Sequence, residues 1–235
     1  MITVAITRNT KVLAAALLIC ALLAIASAPW ALNQPTLNFV FKPLATLIVM
    51  AYAWPRGHDT LVVRRWVLTG LCFSLAGDVF LMWPQQGFLP GLVSFLLAHL
   101  AYLVAFTRTA RFAATPWVFV AYGALAALIL SQLWPGVPGA LRIPVVAYVL
   151  ALASMAAQAA VVWRAQAERG SILAWGGLLF MSSDALLATN KFGAGLPMAS
   201  LWILATYWAA QWCIASWLAP ASSPTGGKAI GQFDR

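Results

Sequence analysis

Long apolar runs alternate with short polar breaks along this chain, and the spacing of the breaks sets its architecture. The runs cover 12–32, 38–54, 64–83, 88–107, 116–134, 142–163, 171–189 and 197–219. Each is close to the ~20 residues that a helix rising ~1.5 Å per residue needs to cross a hydrocarbon core of ~30 Å. The pattern therefore predicts an all-α, polytopic membrane protein in which eight transmembrane helices form one domain over 1–219. The last stretch, 220–235, is rich in Ser, Gly and Pro and is expected to be a disordered cytoplasmic tail.

The first run needs separate treatment. Arg8 and Lys11 precede it, and Ala26-Ser27-Ala28 resembles a signal-peptidase site. Pro29 fits cleavage poorly, and the apolar run continues through Trp30 to Leu32. The segment reads as a retained first helix.

Composition sharpens this picture. With 63% hydrophobic and 8% charged residues, an ordinary water-soluble domain is excluded. A net charge of +9 would suit nucleic acid, but the fourteen basic residues are spread singly rather than clustered with aromatics, so no nucleic-acid partner is expected. Their placement reports orientation instead. With a cytoplasmic N-terminus, the inner segments collect Arg8, Lys11, Arg56, Arg64, Arg65, Arg108, Arg111, Arg164, Arg169, Lys228 and Arg235, against Arg142 and Lys191 outside. Both termini are expected in the cytoplasm, and the host membrane is expected to be a bacterial inner (cell) membrane. Trp30, Trp54, Trp66, Trp83, Trp117, Trp134 and Trp163 fall at run ends as an interfacial belt. Cys20, Cys72 and Cys213 lack metal-ligand spacing. No metal or other cofactor is called for.

Candidate chemistry lies in the polar residues that the apolar runs retain. Only five acidic residues occur in the chain, and two of them, Asp78 and Asp184, sit near the far ends of apolar runs. A carboxylate there costs ~2.5–3.5 kcal/mol to insert. Lys42 lies about one turn inside its run, with Asn38 and Thr46 on the same face and Pro43 following it. His99 and Tyr102 share a face of the fourth run, Asn190 and Lys191 directly follow the seventh, and Tyr207 and Gln211 share a face of the eighth. Polar groups of this kind turn inward, away from lipid. Interhelical hydrogen bonds in membranes average under ~1 kcal/mol, which is small against the insertion cost. Function therefore explains the two aspartates better than structural pinning does. Asp78 and Asp184 are the candidate catalytic residues; Lys42, His99, Tyr102, Asn190, Lys191 and Tyr207 are the candidate substrate contacts.

The two halves also look alike in outline. The third run ends in Gly77-Asp78-Val79 before Phe88 and Gly91-Leu92, and the seventh in Ser183-Asp184-Ala185 before Phe192 and Gly195-Leu196. This suggests a four-plus-four parallel internal repeat, with functional groups at the interface of the copies.

Ala76-Gly77-Asp78-Val79-Phe80-Leu81-Met82, Lys42-Pro43-Leu44, His99-x-x-Tyr102 and Ser183-Asp184 together resemble the YhhN-like family, the eight-helix lysoplasmalogenases. That resemblance implies hydrolysis of the vinyl ether bond of a lysoplasmalogen, giving a fatty aldehyde and a glycerophospho-ethanolamine or glycerophospho-choline. The partners it implies are a lysophospholipid substrate and the bilayer. Vinyl ether hydrolysis starts with proton transfer to the alkene carbon and passes through an oxocarbenium ion that water captures. One aspartate as general acid and the other as counter-charge, held ionised by Lys42 or Lys191, would serve that route. The remaining lysine with Asn190 would suit the headgroup phosphate. The residues alone also admit a proton-coupled secondary transporter in which the aspartates load protons.

Overall fold

A computed structural model describes residues 2–83 and 85–220 of the chain. The tail expected to be disordered lies, from 221 on, outside the described residues. Eight α-helices follow in order: α1 (Ile2–Ala26), α2 (Pro35–Ala53), α3 (Leu61–Phe80), α4 (Phe88–Thr107), α5 (Pro116–Leu133), α6 (Arg142–Ala165), α7 (Ala167–Phe192) and α8 (Ala199–Trp217). Local chemistry explains several boundaries. Pro35 and Pro116 open α2 and α5, where a missing N–H costs nothing. Gly57 takes a left-handed conformation, φ 68°, in the turn between α2 and α3.

The first seven helices include stretches long and apolar enough to cross a membrane. α8 has 19 residues, but Tyr207, Gln211 and four tryptophans make it less apolar. Tyr207 and Gln211 are buried in the bundle, so these two polar groups meet protein rather than lipid. α7 runs three residues beyond the expected 189 and carries Lys191 in its last turn.

Six helices close a ring in which each packs on the next: α2, α3, α4, α6, α7, α8 and back to α2. Outside the ring, α1 lies on α2 and α8, and α5 lies on α6 with a smaller contact to α7. Exchanging α1–α4 for α5–α8 maps the adjacencies within the ring onto one another and α1·α2 onto α5·α6, while the smaller contacts of α1 with α8 and of α5 with α7 have no counterpart of that size. α2·α3 becomes α6·α7, α3·α4 becomes α7·α8, and α2·α8 becomes α4·α6. The tightest seams are built on glycine. A Cβ on Gly70 or Gly77 of α3 would run into the rings of Tyr102 and Phe95 on α4, and one on Gly176 of α7 would press on Ile214 and Cys213 of α8. Small residues let backbones approach where no hydrophobic driving force separates helix from lipid.

Candidate active site

Each aspartate is held by side chains from two helices other than its own. Asp78, in the last turn of α3, accepts hydrogen bonds at Oδ2 from Thr46 of α2 (2.6 Å) and Tyr207 of α8 (2.8 Å). Its Oδ1 stands 3.8 Å from the Lys42 ammonium. Trp208 Nε1 donates to Thr46 Oγ1 at 3.3 Å, which fixes that hydroxyl in turn. Lys42 and Thr46 reach one carboxylate because they are four apart on a helix.

Asp184 of α7 has a different shell. Tyr148 of α6 donates to its Oδ2 at 2.6 Å, and His99 Nε2 of α4 lies 3.5 Å from the same oxygen. The imidazole is fully buried, edge-on to Tyr148 and Phe180, and neither ring nitrogen forms a hydrogen bond among the described residues. The two shells correspond under the exchange of halves. α2 and α8 serve Asp78; α6 and α4 serve Asp184. They differ in charge, since an ammonium and two hydroxyls surround Asp78 while a phenol and an imidazole surround Asp184.

Both carboxyl groups line one cavity of about 300 Å³. Asn38, Lys42, Ser183, Asn190, Lys191, Ser200 and Tyr207 supply the rest of its polar wall, and Leu81, Phe88 and Phe95 part of its apolar wall. It lies at the end of the bundle where α2 begins and α3 and α7 finish. Asp184 is 9% exposed against 1% for Asp78, so Asp184 is the more accessible acid.

Of the residues selected from sequence, Asp78, Asp184, Lys42, Asn190, Lys191 and Tyr207 therefore meet at one cavity. Lys42 is the lysine paired with Asp78; the Lys191 ammonium lies 4.9 Å over the Phe88 ring at the rim. Asn190 accepts a hydrogen bond from the Leu196 N–H across the turn into α8. Tyr102 and His99 are not among the residues that line this cavity. Tyr102 sits one turn deeper, where its hydroxyl donates to Gln211 Oε1 at 2.7 Å and ties α4 to α8. His99 stands behind Asp184. Tyr148 was not singled out from sequence. The signal available was a hydroxyl in the middle of an apolar helix, where it requires a partner.

Residues 37–218 match the model of the YhhN family. Among curated proteins, the chain is 36% identical over 174 residues to the lysoplasmalogenase TMEM86B of Homo sapiens, covering 72% of this chain and 70% of the relative. It is 40% identical over 191 residues to the lysoplasmalogenase TMEM86B of Sus scrofa, covering 77% and 74%. It is 31% identical over 193 residues to a lysoplasmalogenase of Mycobacterium tuberculosis, covering 77% and 68%. No solved structure matches it significantly. Similarity that runs from α2 to the end of α8, and so takes in every helix of the ring, is decisive at this identity: the chain belongs to the YhhN family.

Proposed function

We propose that this protein is a lysoplasmalogenase, an integral membrane hydrolase that cleaves the vinyl ether bond of a lysoplasmalogen by acid catalysis from aspartate. The observation that carries the reading is that carboxyl groups from two separate helices share one cavity while their surroundings divide them into unlike roles. Asp78 accepts hydrogen bonds from the Thr46 and Tyr207 hydroxyls and faces the Lys42 ammonium, surroundings that suit a carboxylate. Asp184 takes one hydrogen bond from Tyr148 at Oδ2, which leaves Oδ1 to carry a proton.

In the proposed sequence, Asp184 transfers its proton to the alkene carbon remote from the ether oxygen, and the adjoining carbon and oxygen become an oxocarbenium ion. The Asp78 carboxylate stabilises that cation, as the unprotonated partner does in glycoside hydrolysis. Water adds to the cationic carbon and returns a proton to Asp184. The hemiacetal then collapses to fatty aldehyde and the glycerophospho-alcohol. Lys191 and Asn190, in the last turn of α7, face the headgroup phosphate. The distribution of basic residues supports cytoplasmic termini in a cell membrane, and this orientation makes the cavity open on the outer side.

Purified protein given a lysoplasmalogen in detergent is expected to release fatty aldehyde without any ion gradient. Asp184→Asn is expected to lose ~10²–10⁴-fold in kcat, the range for a general acid, with unchanged melting behaviour, and Asp78→Asn to be comparably impaired at temperatures where it stays folded, with a lowered melting temperature because Lys42 is left unpaired. Absence of aldehyde from the wild type, with counterflow of the intact lipid in proteoliposomes, would replace the hydrolase by a carrier.

A further inference from the structure

The polar cavity has an apolar neighbour. A compartment of about 80 Å³ lies between α4, α5, α6 and α7, walled by hydrocarbon side chains that include Leu92, Ala126, Leu130 and Ala188. Phe88, Phe95, Leu187 and Asp184 belong to the walls of both spaces. The Asp184 carboxyl therefore stands at their junction.

The helices α4 and α5 are consecutive and joined by a turn over 108–115. Gln158 of α6 ties the turn that joins them, donating to the Ala110 carbonyl at 2.9 Å and accepting from the Ala113 N–H at 3.2 Å. Past that turn, the principal packing of both helices is on other partners, α4 on α3 and α6, α5 on α6. The apolar compartment takes residues from the first half of α4 and the last half of α5, the halves farthest from the turn. A space lined mostly by hydrocarbon is favourable for an alkyl chain and unfavourable for water or a phosphate.

We propose that this compartment binds the hydrocarbon chain of a single-chain lipid, which enters sideways from the bilayer between α4 and α5. The inference rests on the hydrolase reading and assigns its substrate a direction. A vinyl ether joins the chain to the headgroup portion of the lipid, so a lipid with its chain in the apolar space and its phosphate in the polar one places that bond beside Asp184. Ala126 of α5 and Ala188 of α7, small residues on the compartment wall, leave room for the chain and act as specificity-determining residues.

The test compares long-chain and short-chain lysoplasmalogens, and a long-chain one carrying a bulky group at its far end, on purified full-length protein in nanodiscs. Each buried methylene contributes enough that obstructing two or three raises KM on the order of tenfold. Ala188→Phe is expected to raise KM for the long chain by that factor and to leave the short chain within about twofold. Ala126→Phe is a second obstruction, from α5, and Leu128→Phe, on the exposed side of the same helix, is the control that changes neither. Wild-type protein is expected to accept the bulky far end, because that end stays in lipid. Equal losses on both chain lengths in whichever filled variant keeps wild-type melting, or rejection of the bulky end, would overturn the inference and make the compartment the seat of a structural lipid. Failure of the hydrolase reading is distinct, since the wild type would then cleave none of the three.

Discussion

At the residue scale, the asymmetry between the two carboxyl groups is the main determinant of behaviour. The Lys42–Asp78 pair is almost wholly buried, with side chains 9% and 2% exposed. Removing one member of a buried pair strands the other charge and costs ~3–5 kcal/mol, whereas replacing both is far cheaper. Lys42→Met is accordingly expected to lower the melting temperature sharply, and Lys42→Met/Asp78→Asn to recover most of it while staying inactive. A double variant no more stable than the single would show that the pair is not ionic. Lys42, Asp78 and Asp184 were legible in the sequence because charges are conspicuous in apolar runs. Tyr148 was not, since a tyrosine in a span reads equally as packing, and only the fold shows that its hydroxyl reaches Asp184. His99 and Tyr102 were legible as inward-facing, but helical spacing does not reveal depth, and one turn separates the site from the packing behind it.

At the scale of elements, α2 to α8 were legible to within four residues of their ends because length and apolarity alone define a span, whereas α1 begins ten residues before its expected run and stops six before its end. The neighbours of each helix were not legible. Lipid-facing and protein-facing positions are both apolar, so periodicity carries little information about which helices touch. Glycine carries more. Gly77 abuts the Phe95 ring, which is part of the cavity wall, whereas nothing lies within 4 Å of a Cβ at Gly123 on α5. Gly77→Ala is expected to cost ~1–3 kcal/mol as an overpacked seam, and to depress activity by moving Phe95. Gly123→Ala should be neutral or slightly stabilising, from helix propensity. Thermal melts of the two variants in one detergent decide it, and equal melting temperatures would mean that the α3–α4 seam gives way freely. Gly176 precedes Asp184 by eight residues, as Gly70 precedes Asp78, so the two seams and the two acids share a spacing that the loop motifs alone did not bring out.

At the scale of the whole molecule, the two ends of the bundle do different work. At the end away from the cavity, Arg56 donates to the Leu218 and Ser216 carbonyls at 3.1 and 3.2 Å, the Gly57 N–H donates to the Ala219 carbonyl at 2.8 Å, and Tyr52 stacks on Trp212. These contacts latch α8 to α2 and close the ring. Arg56→Ala is expected to cost ~1.5–3 kcal/mol, the range for hydrogen bonds from a charged donor, with kcat and KM unchanged well below the melting temperature, because the latch lies on the far side of the bundle from the acids. The cavity end carries the opposite requirement, since it must admit a lipid. With cytoplasmic termini it faces outward, and a lysolipid whose phosphate crosses bilayers slowly should then reach Asp184 from one side only. Right-side-out vesicles are expected to release aldehyde from added lysoplasmalogen promptly, and inside-out vesicles only after detergent opens them. Equal initial rates from both preparations would mean either that the protein is inserted in both orientations or that the headgroup also reaches the acids from the latched end, and a protease-sensitive C-terminal tag on the same vesicles separates those outcomes.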